Sequence, residues 1–248
     1  MQQDATYFVK KCDSCQRYGN IQRVLGKKTT PITTPWPFAQ WEINIMGPLP
    51  QGKKQVKLLL VAIDYFTKWV EVEALATIME AKVRSFVWKN IVCRFGIPQT
   101  IISDNGRQFD SQGFKSFCSS LGIKNKYSSP RHPQANGRTE VTNRTLLKII
   151  KARLVEAKGA WPKELPSVLW AYRTTSRTPI GETSFNMTYG TEAVIPIEIG
   201  LTSPRMEFID EHSNNDQLKL NLYCLDEVRD QASRRMAKYQ RKMAEYYN

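Results

Sequence analysis

Two acidic residues, Asp104 and Glu140, have surroundings that suit metal-dependent chemistry. Asp104 follows the β-branched run Thr100-Ile101-Ile102 and precedes the pair Asn105-Gly106, so a buried strand is predicted to end in a turn at this acid. Glu140 lies just inside a helix predicted to begin after Asn136-Gly137. An acid at a strand end and an acid on a helix can converge on one Mg²⁺ or Mn²⁺ site beside substrate phosphates. Taken singly, either acid could equally be an exposed turn aspartate or an ordinary helix glutamate.

The sequence around the two acids is more specific than the acids themselves. The segment SDNGRQF, followed by HPQANGRTE with 35 residues between the acids, resembles the retroviral-type integrase core with its D,D-35-E acids. Over nearly its whole length, the chain resembles integrases of plant Ty3/gypsy-type LTR retrotransposons more closely. The resemblance implies an RNase H-like fold, a two-metal site for Mg²⁺ or Mn²⁺, 3′-end processing, and strand transfer of element DNA into target DNA.

The same resemblance implies the partners and the place of action. Double-stranded DNA, as element ends and as target, would be the substrate, and a homo-oligomer acting in the nucleus would be the working form. A net charge of +13 independently indicates a polyanionic partner, although a basic surface can also serve solubility alone. The longest apolar run, Leu58 to Ile63, is too short to span a bilayer, so no membrane partner is expected.

The first acid of the D,D-35-E set is replaced in this chain. Segment 41–49 alternates around Ile43 and Ile45, which predicts a strand, and the resemblance places the first catalytic aspartate at Asn44. An amide offers one neutral oxygen, so it neutralises no charge and binds Mg²⁺ poorly. We therefore expect catalysis in this copy to be impaired, by orders of magnitude. Asp64 is a conceivable substitute, although the resemblance implies that its position is not a metal ligand.

The helix after Glu140 and the loop before it are the predicted DNA-binding elements. Three cations follow the acid on or near its helical face, where they would contact the phosphate backbone: Arg144, Lys148 and Lys151. A solvated helix face, with Arg144 paired to Glu140, is the alternative. The turn-rich loop 130–137 would lie beside the metal site and gate substrate. Its candidate DNA-binding residues are His132, Gln134 and Asn136.

Cys12 and Cys15 form a Cys-x2-Cys pair, which is half of a tetrahedral zinc site. The flanking YFVKKCDSCQRYGN resembles the His-His-Cys-Cys segment of the integrases, but the only histidines of the chain are His132 and His212. We therefore expect a truncated zinc-binding segment that binds Zn²⁺ only if the upstream histidines were present. Two free thiols are the alternative. The five cysteines do not form a disulfide pattern, which fits a reducing compartment.

The expected architecture is α/β: an RNase H-like catalytic core with a mixed five-stranded sheet flanked by helices. Residues 1–28 would be the zinc-binding remnant, 29–40 a linker, 41–190 the core, and 191–248 an extension. A capping box at Thr77 and the cap Ser111 predict two core helices, and Trp161-Pro162 predicts a third. From Gln217, apolar residues recur every three or four positions, which predicts a long amphipathic helix with a basic end. In the relatives a small β-barrel-type domain follows, so the chain is also expected to be truncated there.

Three other functions share parts of this evidence. A non-catalytic DNA-binding remnant of an integrase would have the same fold and basic surface, and Asn44 favours it. Another RNase H-like nuclease or a transposase would also use clustered acids, but the 35-residue spacing together with HPQANG argues against it. An oligomerisation module would rest on the C-terminal helix alone.

Overall fold

A mixed five-stranded sheet forms the centre of the molecule in the computed structural model, which describes residues 7, 11–12, 36–104, 106–127, 158–176, 180–194 and 211–247. The strand order is β3-β2-β1-β4-β5. The strands are β1 (Gln40–Met46), β2 (Leu58–Asp64), β3 (Val70–Leu75), β4 (Thr100–Ser103) and β5 (Lys124–Tyr127). β1 pairs with β2, and β2 with β3, in antiparallel fashion; β1 pairs with β4, and β4 with β5, in parallel. The predicted mixed five-stranded sheet is thereby confirmed.

Helices cover both faces of the sheet. They are α1 (Glu80–Phe86), which continues through a π-helical turn (Val87–Val92) into α2 (Cys93–Phe95), then α3 (Gln112–Ser120), α4 (Trp161–Thr174), α5 (Ser184–Tyr189) and α6 (Glu211–Tyr247). Trp41, Ile43 and Ile101 pack on the α1 and α3 side. Leu59, Val61 and Ile63 face the opposite way, against α4. Since β2 is buried on both faces, its run LLLVAI is apolar throughout.

The structure corrects one predicted helix start and refines another. The capping box at Thr77 is wrong: α1 begins at Glu80, with Met79 at the N-cap and no side-chain cap. Glu80 is engaged instead with Arg84, one turn later, at 3.1 Å, so it is not free to fold back on the helix start. The cap at Ser111 is confirmed, because its Oγ accepts the Phe114 N–H at 3.2 Å. Helix α6 starts at Glu211, before the predicted start at Gln217. Its first turns are polar, so the apolar periodicity did not include them.

Helix α6 is held against α5 by its middle section. Leu225 and Ala232 are buried, and Ala232 packs with Ile180 and Met187. Arg229 donates to the Met187 carbonyl at 3.1 Å, which satisfies an acceptor near the end of α5. Nearer the start of α6, Leu218 and Leu222 of the predicted apolar stripe are exposed. Within the described ranges, no helix is both long and apolar enough to cross a membrane.

The predicted divisions of the chain are only partly covered by the described residues. The zinc-binding remnant and the linker lie mostly outside them. The boundaries at residues 28, 40 and 190 therefore remain predictions.

A buried acid network joins α2 and α4 to the edge strand β3. Glu71 is 3% exposed and accepts the Trp69 indole N–H at 2.7 Å. Its carboxylate also lies 2.9 Å from Arg94 and 3.3 Å from Arg173. Arg173 donates to the Val70 carbonyl at 2.6 Å, so it occupies an acceptor of the edge strand as well. Burial lowers the pKa of Arg173, while the charge of Glu71 opposes that shift.

A second buried acid, Asp64, organises the turn between β2 and β3. Its Oδ1 accepts the Phe38 N–H at 3.0 Å, and its Oδ2 accepts both the N–H and the Oγ–H of Thr67 at 2.7 Å. This turn separates the end of β2 at Asp64 from the start of β3 at Val70. Burial raises the pKa of Asp64 to about 6, although the bonds from Thr67 and Phe38 and the charge of Lys68 act in the opposite direction.

The Asp64 carboxyl should make stability fall as pH rises. Its folded pKa lies above the unfolded value of 3.8, so its contribution is full below pH 3.8 and is lost as pH rises through about 6. The gap between the folded and unfolded pKa corresponds to about 3 kcal/mol. We expect the difference in unfolding free energy between the wild-type chain and Asp64→Asn to shrink by up to that amount as pH rises from about 4 to about 7. Urea titrations measure it, with the exposed Asp230→Asn as control. A difference that stays constant with pH would show that the pKa is not raised.

Candidate active site

The parallel pairing of β1 with β4 brings Asn44 next to Asp104. The register pairs Gln40 with Thr100 and Ile43 with Ser103. Asp104 directly follows Ser103, so it stands laterally beside Asn44 at the edge where β4 ends. Residues in register on neighbouring strands point to the same face. Two residues far apart in the sequence, both singled out for metal chemistry, therefore share one face and one edge of the sheet.

The Asn44 amide has a carboxylate neighbour on its own strand. Its Nδ2 donates to Glu42 Oε1 at 2.8 Å. The two residues are separated by one position, which puts their side chains on the same face of β1. Glu42 is 8% exposed, so this carboxylate is largely removed from water. An amide at position 44 satisfies Glu42 by donating a hydrogen bond, whereas a carboxylate at position 44 would face it as a like charge.

The Asp104 carboxylate is exposed and is oriented by the turn that follows it. Its Oδ1 accepts the Gly106 N–H at 3.0 Å, and this hydrogen bond forms an Asx turn. A Cβ at Gly106 would lie 2.8 Å from Asp104 Oδ1 and closer still to the Gln108 amide, so a larger residue there would displace both side-chain ends. The Gly106 carbonyl in turn accepts the N–H of Phe109 at 2.9 Å. Asp104 is thus presented to solvent on a short, hydrogen-bonded turn.

Residues of β5 and α3 anchor the far end of this turn. Asn125 Nδ2 and the Tyr127 hydroxyl each lie 3.3 Å from the Phe109 carbonyl. Lys115 pairs with Asp110 at 2.7 Å, and this contact, with the Tyr127 hydroxyl, lowers the pKa of Asp110. Burial and the bond to Asp110 raise the pKa of Tyr127 to about 12, so the hydroxyl stays protonated and can donate. The turn after Asp104 is therefore fixed at both ends.

The remaining predicted site residues are distributed as follows. Asp64 pairs with Trp41 in the β1–β2 ladder, so it faces away from Asn44 and cannot replace the missing acid. Cys12 is half-buried and is not part of a disulfide. No group of three or more metal-ligating side chains occurs among the described residues. The other predicted site residues lie outside the described ranges: Cys15, His132, Gln134, Asn136, Glu140, Arg144, Lys148 and Lys151.

Sequence reasoning missed three residues of this site: Glu42, Asn125 and Tyr127. Glu42 had an available signal, because residues two apart in a predicted strand share a face. The roles of Asn125 and Tyr127 had none, since they depend on the parallel pairing of β4 with β5.

Removing the Tyr127 hydroxyl should loosen the turn that carries Asp104. Tyr127→Phe deletes the contact with the Phe109 carbonyl and the bond to Asp110, so we expect the unfolding free energy to fall by about 1 kcal/mol. The matched control is Tyr223→Phe, because Tyr223 is 87% exposed and its loss of a hydroxyl should change stability by less than about 0.5 kcal/mol. Urea unfolding measures both. Equal effects for the two variants would contradict an anchoring role.

This chain is similar in sequence to known proteins. Residues 35–133 match the family model "Integrase core domain". The chain is 31% identical over 223 residues to the Pol polyprotein of Radiation murine leukemia virus (strain Kaplan), covering 90% of this chain and 37% of that protein. It is 30% identical over 164 residues to the Gag-Pol polyprotein of Avian reticuloendotheliosis virus, covering 66% of this chain and 14% of that protein. The chain thus spans well under half the length of these relatives.

A solved structure shares the fold. The chain superposes on a chain of the simian T-cell lymphotropic virus intasome, in complex with PP2A regulatory subunit B56 gamma, with a TM-score of 0.55 and 21% identity; the match covers 79% of this chain and 69% of that chain. The five-stranded sheet with flanking helices is therefore the RNase H-like fold of integrase cores. Residues 35–133 therefore match a retroviral-type integrase core domain, and the chain has homologues among retroviral Pol polyproteins.

Proposed function

We propose that this chain is the integrase of an LTR retrotransposon of the plant Ty3/gypsy type. It acts in the nucleus on double-stranded DNA, as element ends and as target, by 3′-end processing and strand transfer. The observation that carries the proposal is the β1–β4 register, which sets position 44 beside Asp104 on one face. The net charge of +13 and the homology to retroviral Pol proteins support a DNA substrate.

Mg²⁺ or Mn²⁺ would be held by Asp104 and Glu140, with position 44 as the third ligand. Asp104 fits a hard cation because its carboxylate is exposed at a strand end. Asn44 fits poorly, because its amide carries no charge and its Nδ2 is bound to Glu42. Two bound metal ions would supply activation of the attacking oxygen and stabilisation of charge at phosphorus. Zn²⁺ would bind Cys12 and Cys15 only with histidines that this sequence lacks upstream.

Catalysis in this copy is impaired by the residue at position 44. The chain's own residues would still bind and orient DNA, through Arg144, Lys148 and Lys151 along the phosphates and through His132, Gln134 and Asn136 near the reacting end. The homo-oligomer is part of the proposal, and its support is the shared fold with a chain of an intasome.

A non-catalytic DNA-binding remnant is the second candidate. The Asn44–Glu42 hydrogen bond favours it, because the pair is satisfied at 2.8 Å without any cation. The two candidates predict different results for Asn44→Asp. Strand transfer is restored if the chain is an integrase whose site is otherwise intact, and it is not restored if the chain is a DNA-binding remnant.

Asn44→Asp should create a metal-responsive protein. The new carboxylate would face Glu42 as a like charge, so we expect lower thermal stability in EDTA and recovery in Mg²⁺. With a metal Kd of about 1 mM, about 10 mM Mg²⁺ would stabilise by about 1.4 kcal/mol, or about 3 °C in Tm. The wild-type Tm should shift by less. Differential scanning calorimetry measures it.

Asn90→Asp is the matched control for that measurement. Asn90 Nδ2 lies 3.4 Å from Glu73 Oε2, so its replacement also sets an aspartate beside a glutamate, but β4 and Asp104 are not its neighbours. A Mg²⁺ shift of equal size in both variants would show that any Asp–Glu pair suffices, and would contradict the ligand role of position 44.

Strand transfer is the direct test of function. We expect Asn44→Asp to join a pre-processed DNA end to a target duplex at least about 100-fold faster than the wild-type chain in Mg²⁺ or Mn²⁺, a difference of about 3 kcal/mol in the barrier. The double variant Asn44→Asp/Asp104→Asn should return to the wild-type rate. Comparable wild-type activity would mean that the first acid lies elsewhere. Duplex binding without joining by any variant would favour the DNA-binding remnant.

A further inference from the structure

The loop between β1 and β2 presents lysines at the same edge of the sheet as the candidate site. β1 and β4 are parallel, so the edge where Asp104 follows β4 is also the edge where β1 ends and this loop begins. Strand geometry puts Met46, the last residue of β1, about 7 Å beyond Asn44. Lys53, Lys54 and Lys57 are all exposed, in the loop or at its end. These cations therefore lie at the same end of the sheet as Asp104.

The loop, residues 47–57, is held firmly by backbone contacts. The Leu49 N–H donates to the Lys57 carbonyl at 2.7 Å, and the Gly52 N–H donates to the Val56 carbonyl at 2.9 Å. From the side, the Trp161 indole of α4 donates to the Pro50 carbonyl at 2.6 Å. These bonds leave the lysine side chains uninvolved. The loop is thus a rigid support, and the charges on it are held in place before a ligand arrives.

The backbone at the tip of the loop is strained at two adjacent residues. Lys54 and Gln55 both have a φ of 60°, a left-handed conformation that residues with a side chain rarely adopt. Gly52 closes the loop against α4, where a Cβ would lie 2.7 Å from Pro162 Cγ. Conformations of this kind persist where surrounding structure enforces them, and they cluster at functional positions.

The three lysines lack a counter-charge within the described part of the chain. None of them forms an ion pair with a described carboxylate, whereas Arg84, Arg94 and Lys115 elsewhere in the core each have one. Holding like charges together on a rigid loop is unfavourable until an anion neutralises them. A duplex carries one negative charge per about 1.7 Å of its axis, so it offers several phosphates to one such loop.

We propose that Lys53, Lys54 and Lys57 form a phosphate-binding surface for double-stranded DNA, here named the basic hairpin. It binds the backbone of a duplex whose reacting phosphate lies at Asp104, and it contributes affinity and orientation rather than sequence readout. The inference rests on the proposed function, since it takes DNA to be the polyanion. It adds a contact surface that lies on the β1–β2 loop and is separate from the helix after Glu140.

The test is the salt dependence of duplex binding by the full chain. Each phosphate contact contributes a slope of about −0.9 to the plot of log K against log salt. Lys53→Gln/Lys54→Gln should therefore flatten the slope by about two and weaken binding at low salt. The matched control, Lys89→Gln/Lys124→Gln, removes two exposed lysines that also lack a described ion pair; Lys124 lies at the opposite end of the sheet, in register with Thr100 and Gln40. Fluorescence anisotropy with a labelled duplex of about 30 base pairs measures the affinity. Thermal unfolding should be unchanged in both.

Two DNA forms separate the possible sources of the phosphates. One is a duplex that ends in the element's terminal sequence, and the other is a closed circular plasmid without ends, used as competitor. If the hairpin variant loses affinity only for the ended duplex, the basic hairpin binds element DNA. If it also loses affinity for the circular plasmid, the basic hairpin binds target DNA. Hairpin and control variants with the same slope would overturn the inference and leave the proposed function standing. A wild-type chain with no duplex affinity would overturn the proposed function and this inference together.

Discussion

The parallel ladder between β1 and β4 is the interaction on which the candidate site depends. It fixes the lateral neighbours of both strands, and a shift of register by a single residue would turn Asp104 or Asn44 toward the opposite face. The strands on either side hold the ladder in register: β2 pairs with β1 over six residue pairs, and β5 pairs with β4 over four. The relative position of two side chains that are distant in the sequence is thus a property of the whole sheet.

Buried acids stabilise the sheet's other elements without taking part in the candidate site. Asp64 receives two hydrogen bonds from Thr67 of the β2–β3 turn and one from Phe38, and Glu71 is paired with two arginines from α2 and α4. Desolvated carboxylates are tolerated only with such partners. Because both face the α1 and α3 side of the sheet, they lie on the face opposite to Asn44 and Asp104. Asp64 and Glu71 are thus separated from Asp104 by the alternation of side chains along a strand.

Position 44 is where charge balance and function conflict. Glu42 is buried beside it, and an amide relieves the repulsion that a second carboxylate would create in the absence of cations. Asn44 therefore suits a protein that is stable without metal, while an aspartate would suit one that holds Mg²⁺. The basic hairpin at the same edge would serve DNA binding in either case.

Much of the fold followed from local patterns. The strand around Ile43 and Ile45, the cap at Ser111 and the start of α4 at Trp161 each follow from neighbouring residues, so periodicity and capping chemistry predicted them. The resemblance to retroviral-type integrase cores and the candidate site at Asn44, Asp104 and Glu140 also came from the sequence, through the spacing of the two acids and the segments around them. Only the tertiary structure decided which strands are neighbours, and hence that Asn44 lies beside Asp104, that Glu42 binds its amide, and that Tyr127 anchors the turn. The reason is physical: strand pairing joins residues distant in the chain, and neither side-chain alternation nor local propensity specifies the partner strand.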